Sequence, residues 1–240
     1  MSDILQWFST LPFHAKLQVG GHKENFCLGI LHGDPSSLAG WSFAVEAMQP
    51  PDLSLHKALG LINHDLSETG ERDKNGQFKL TDLQYIADSF RDADVDCFAC
   101  THTCLPFMQN FLLPSTSSRE CDEKIIVNNG SAGMPNFRMD HPTSKREGAT
   151  TTEGLITRIS IPSQADNKIK GATTVVGALS LYGTVVKGVH IDSLPLPFNK
   201  QENLELFLRD HPVTSPAHDS YYQRIVNGPN FTLSQANRLT

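Results

Sequence analysis

Residues 97–108 read CFACTHTCLPFM and place an imidazole (His102) and a thiol (Cys104) one residue apart, where an apolar stretch gives way to polar residues and a proline. Either side chain binds a divalent metal, and a thiolate partner favours Zn over harder ions. The thiol could instead act as a nucleophile, which needs a base and an orienting partner beside it. The bland alternative is a small residue closing a strand. Two other segments share the plan: CLGILHGD carries His32-Gly33-Asp34, and IIVNNGSAG carries Asn129-Gly130-Ser131. In layered α/β folds functional groups gather on loops just beyond strand ends. If the three apolar runs are parallel neighbours, His32, His102 and the Asn-Gly-Ser turn share one rim. Asp34 then either orients the His32 imidazole or caps a helix. Asn129, Gly130 and Ser131 either bring backbone groups near the site or form a structural turn.

The elements that must position these groups alternate between strand and helix patterns. HAKLQV (14–19) and NFCLGIL (25–31) read as a hairpin around the polar GGHKE. In SSLAGWSFAVEAM the spacing of Leu38, Trp41, Val45 and Met48 predicts a helix, with Ser36 or Ser37 as N-cap. Residues 54–66 predict a second helix, and Thr81 is the expected cap of a third, with Leu83, Ile86 and Phe90 on its apolar face. DCFAC is a strand, with 107–113 as its expected neighbour, and 124–129 is another. Polar stretches at 114–122, 139–153 and 163–174 read as loops. Residues 154–161 and 178–196 predict further strands, and 200–210 and 218–227 helices. The mixture implies one α/β (α+β) layered domain over 1–240.

Bulk properties bound the function. With 39% hydrophobic and 19% charged residues the chain can bury a core. A net charge of -6 argues against a nucleic-acid polymer as partner. The N-terminus has no basic n-region, and no apolar run approaches the roughly 20 residues that span a bilayer. Five cysteines, three of them within residues 97–104, fit a reduced, cytoplasmic setting. Cys97 and Cys100 sit in a strand-like run, where their odd separation turns them to opposite faces, so they read as core residues.

Taken together, CTHTCLP resembles the last Gly-His-x-His-x-Pro motif of the calcineurin-like metallophosphoesterases. LHGDP resembles that family's His-Gly strand end, and VNNGSAGMP its Gly-Ser turn, in the same order. The resemblance covers about residues 10–162. It implies part of a β-sandwich flanked by helices, and hydrolysis of a phosphomonoester or phosphodiester by a hydroxide bridging two metals roughly 4 Å apart. On the matching positions it makes His32 and His102 ligands of one divalent metal (Zn, Mn or Fe), with Cys104 where a further histidine ligand stands in the family. The family's earlier Asp-x-His, Gly-Asp-x-x-Asp and Gly-Asn-His motifs are missing ahead of His32, and Asn63-His64-Asp65 is a poor substitute on an amphipathic stretch. The chain therefore reads as the C-terminal part of such a domain with an incomplete metal site. A small phosphoester is the implied substrate if the chain is active. The alternative is a non-catalytic truncated homologue, or an interaction module pairing with a separate N-terminal half.

Overall fold

The structure is a computed structural model that describes residues 6–7, 10, 12, 14–20, 25–48, 80–114, 121–131, 134, 153–161, 180–229 and 233–239. The expected helix over 54–66, with Asn63-His64-Asp65, lies outside the described residues. So do residues 139–152 and 162–174.

Among the described residues there are two sheets and four helices, and the core cluster draws on both sheets, on the helix Leu83–Ala93 and on the short helix Leu233–Ala236. The first sheet runs β1 (His14–Val19), β2 (Phe26–Leu31), β3 (Cys97–Cys100), β5 (Cys121–Asn128), β4 (Phe107–Pro114) and the short β9 (Asn237–Arg238), in that spatial order. β1 and β2 form the expected antiparallel hairpin. β2, β3 and β5 are parallel, with Leu28 opposite Cys97 and Cys97 opposite Ile125. The second sheet has order β6 (Glu153–Ser160), β8 (Val189–Pro197), β7 (Tyr182–Val186) and is antiparallel. Its Tyr182, Val186, Val189 and Ile191 join the same buried cluster as the first sheet. The chain is thus a mixed α/β layered protein, as the sequence pattern implies.

Helix α1 (Leu83–Ala93) covers one face of the first sheet, with the Phe90 ring 4.8 Å from that of Phe98. Ile86 and Phe90 are buried, whereas Leu83 turns outward, 51% exposed. Its N-cap is Asp82, whose carboxylate accepts from the Gln84 amide, not Thr81 as expected. Thr81 faces the other way, and its hydroxyl donates to the Ser42 carbonyl at 2.7 Å. Helices α2 (Lys200–Asp210) and α3 (Pro216–Asn227) follow β8, and a short α4 (Leu233–Ala236) leads into β9. Among the described residues no helix is long and apolar enough to cross a membrane.

Three further expectations are corrected. First, residues 36–48 do not form a helix. The buried Asp34 carboxylate accepts from the amides of Ser36, Ser37 and Ser42 and from the Ser36 hydroxyl, so the chain wraps around it. Only glycine fits at position 40, because a Cβ there would lie 2.0 Å from Asp34 Oδ2. Beyond the wrap, residues 43–48 are all buried, which is no one-sided helical stripe, and Leu38 is 52% exposed. Second, β4 is not the neighbour of β3: β5 lies between them, because the long β4–β5 hairpin inserts its second strand beside β3. Third, the stretch at 114–122 is not all loop, since Pro114, Cys121 and Asp122 belong to that hairpin's ladder.

The 43–48 segment is held by the far end of the chain. Arg238, 3% exposed, donates through Nη1 to the Val45 and Met48 carbonyls at 2.9 and 3.3 Å. Between these clamped carbonyls lies Glu46, 7% exposed, and among the described residues neither of its carboxylate oxygens has a hydrogen-bond partner. Burial pushes its carboxyl up to about 7, against the pull of Arg224 and Arg238. A carboxyl whose folded value lies above its unfolded one favours the folded state at low pH, and that contribution is lost as pH rises from about 4.5 to about 7. Glu46→Gln should therefore be more stable than the parent at pH 8, by about 1–3 kcal/mol. Urea midpoints measured at pH 8 and pH 5 should show the gap closing at the lower value.

Candidate functional site

The parallel trio β2, β3 and β5 delivers its loops to one rim. At the end of β2 the His32 carbonyl accepts the amides of Thr101 and His102, at 3.2 and 2.8 Å. This main-chain pair brings the two histidines together, and His102 Nδ1 lies 3.1 Å from His32 Nε2. The rings meet edge to face, 4.8 Å between centroids, and Trp41 stands 5.3 Å from His102 on the wrapped loop. His32 is exposed and His102 half-buried.

The 101–104 turn is tight. The Cys104 amide donates to the Thr101 carbonyl at 2.8 Å, which puts Cys104 at φ 58° in the left-handed region. A residue with a Cβ adopts that region at a cost of about 1–2 kcal/mol, so neighbouring bonds must hold it there. They come from the β5 end and from α3. Thr101 donates its hydroxyl to the Gly130 carbonyl at 2.8 Å. Buried Asn128 bridges both loops, giving its Nδ2 to the Thr103 hydroxyl and accepting the Gly130 amide. Ser131 donates to Cys104 Sγ at 3.3 Å, and Arg224 of α3 donates to the Cys104 carbonyl. Gly130 itself sits at φ 75°, which suits a glycine. Asn129 lies half-exposed between these bonded neighbours.

All the sequence-derived residues thus fall at one rim, but with different surroundings. His32 and His102 touch through ring nitrogens. Cys104 lies against the His102 carbonyl at 3.2 Å and the Ser131 hydroxyl, not against either imidazole nitrogen. Asp34 spends both oxygens on its own loop, so it acts as the post around which residues 34–42 wind. Asn129, Gly130 and Ser131 form a turn that buttresses the neighbouring loop. Trp41, Asn128 and Arg224 did not emerge from the sequence. A polar Asn128 ending an otherwise apolar strand is the one signal that pointed to it, while Arg224 lies 120 residues from its partner.

The electrostatics keep His102 uncharged. Burial lowers its pKa, the adjacent His32 lowers it further, and Asp34 partly opposes them. A neutral imidazole offers a lone pair, the state that binds metals. Ligands of one tetrahedral zinc ion, with bonds of about 2.0–2.1 Å, lie roughly 3.3 Å apart. The 3.1 Å separation is a hydrogen bond between the two ring nitrogens and is close to that spacing, so an ion held by both would take the place of the shared proton. Among the described residues, however, no group of three or more His, Cys, Asp or Glu side chains converges on a point. Two imidazoles fit part of a metal site, and they do not complete one.

Fold and rim together define a layered α/β protein with a histidine pair at the C-terminal ends of parallel strands. No known protein family matches the chain, and no curated protein matches it. A crystal structure of a metallophosphoesterase from Sphaerobacter thermophilus aligns with 95% of this chain and 64% of its own, at 12% identity and a TM-score of 0.35. The chain thus spans about 64% of that structure's length.

His102 also sets a pH dependence. Its folded pKa is below the unfolded value of about 6.5, so below that pH the unfolded chain binds the proton more readily. Stability is then lost as pH falls through about 6.5 and is unaffected by this group above it. Replacing His102 with Gln should flatten that acid-side slope, read as the change in urea midpoint between pH 7.5 and pH 5.5.

Proposed function

We propose that this chain is a divergent metallophosphoesterase-type domain that holds one divalent cation at the His32–His102 pair and binds a phosphoester there. The contact of the two imidazoles, 3.1 Å apart at the ends of adjacent parallel strands, carries the reading. The order of the His-Gly, His-x-Cys and Gly-Ser motifs adds to it. A divalent ion held there would polarise phosphate oxygens. The chain's own part is to fix the imidazoles through the His32 carbonyl and to keep His102 neutral. Trp41 stands beside the pair as an apolar wall for the organic portion of an ester. Because the described residues supply two ligands and no bridging carboxylate, no hydrolytic step is assigned to them.

Calorimetric titration with Zn and with Mn tests this. One ion per chain is expected to bind weakly, with at least a tenfold loss of affinity in His32→Ala and in His102→Ala. Hydrolysis of an aryl phosphodiester by the chain alone is expected to be negligible. No saturable metal binding, or binding indifferent to both substitutions, would sink the proposal. Turnover that disappears with chelator and in His102→Ala would instead show that further ligands complete the site.

A further inference from the structure

A cavity lies at the other end of the same strands from the histidine rim. The histidine pair follows the C-terminal ends of β2 and β3, whereas Cys27, Asp96 and Lys124 mark the N-terminal ends of the parallel trio. There a cavity of about 660 Å³ opens between α1, the first sheet and the β7–β8 turn. That volume falls within the usual range for small-molecule sites.

Asp96, only 4% exposed, is one of its lining residues. Oδ1 accepts from two ammoniums, Lys124 at 2.7 Å and Lys187 at 2.9 Å, while Oδ2 takes the Cys27 amide at 2.9 Å. Lys187 comes from the second sheet. It reaches inward because Lys187 and Gly188, at φ 49° and 74°, form a two-residue turn of the kind that joins tightly twisted hairpin strands. Each ammonium carries three N–H donors and spends one on Asp96. The remaining donors border the cavity, and the carboxamides of Gln18 and Asn25 line its wall, while that of Gln84 donates to Asp88 at 2.8 Å. Lys16 and Arg91 stand at the same cavity but are already engaged, by Asp94 and by Asp88 and Asp92. Asp122 is the remaining carboxylate in the wall. A cation is poorly served here, since Asp96 has given its oxygens to three N–H groups. An acceptor with two negatively charged oxygens meets the two convergent ammoniums directly.

We propose that this cavity binds a small dianion, a phosphate or a dicarboxylate, bridging Lys124 and Lys187. The site is separate from the histidine rim and owes nothing to a metal. The test uses the full chain carrying His102→Ala, with chelator present, so that binding at the rim cannot contribute. Inorganic phosphate and succinate are titrated calorimetrically against a chloride background of matched ionic strength. Saturable binding of at least one is expected, and which of them binds distinguishes the two sources of oxyanion. Adding Lys187→Asn should weaken it by at least about tenfold, the loss expected for one charge-assisted hydrogen bond. Asparagine tolerates left-handed φ and Lys187 lies on a half-exposed turn, so this variant keeps the fold. Lys124→Met provides the second arm. The proposal is overturned if neither dianion saturates, if affinity survives both substitutions, or if the dication putrescine binds in their place.

Discussion

Two amides on one carbonyl govern the geometry of the rim. The His32 carbonyl accepts both Thr101 and His102 N–H groups, which extends the β2–β3 pairing past the last ladder rung. The side chains add one hydrogen bond of their own, between His102 Nδ1 and His32 Nε2 at 3.1 Å, but the main-chain pair is what brings the rings within its reach. Backbone bonding of this kind is insensitive to side-chain chemistry, so it keeps the positions fixed whatever occupies them. The imidazole pair is thus a by-product of strand register, and its precision is that of the parallel ladder.

Around that ladder the protein uses carboxylates as assembly points. Asp34 gathers three amides and a hydroxyl and so replaces what would have been a helix with a compact wrap. Asp96 joins β2, β5 and the second sheet through one amide and two lysines. Burial alone would raise its pKa, and the hydrogen bonds from Lys124, Lys187 and the Cys27 amide, with the Lys124 charge, together more than offset that. Such hubs stabilise because every oxygen finds donors. Glu46 is the contrary case, equally buried but without partners among the described residues. The difference between an anchored and an unanchored carboxylate separates the parts of this core that are fixed from the part that titrates near neutrality.

What the sequence made legible follows from range. Strands β1, β2, β3 and β5 were readable because alternation and turn residues act within a few positions, and their parallel arrangement was a reasonable inference from three like-built strand ends. The His32–His102 proximity followed from it. The 36–48 segment misleads because apolar spacing at three and four residues looks the same whether one face or the whole segment is buried. Only the Asp34 hydrogen bonds decide between those cases, and they depend on loop closure rather than on pattern. The order of β4 and β5 was missed for a related reason: a hairpin fixes which strands pair, not which of them enters the sheet. The arginine clamps were out of reach altogether, as no local signal connects Arg224 to Cys104 or Arg238 to Val45.

The Arg238 clamp has a consequence for how the molecule forms. Its bonds to Val45 and Met48 join positions 193 and 190 residues apart, among the most distant contacts in the chain. A ribosome releases the loop carrying Trp41 long before it releases the guanidinium that ties down the residues just after it. During synthesis the carbonyls of residues 45 and 48 must wait, solvated or borrowed by other donors, until β9 arrives beside β4. Closing so large a loop is slow relative to local pairing. The β1–β2 hairpin can assemble early, while the segment beside the histidine rim acquires its final shape among the last events of folding.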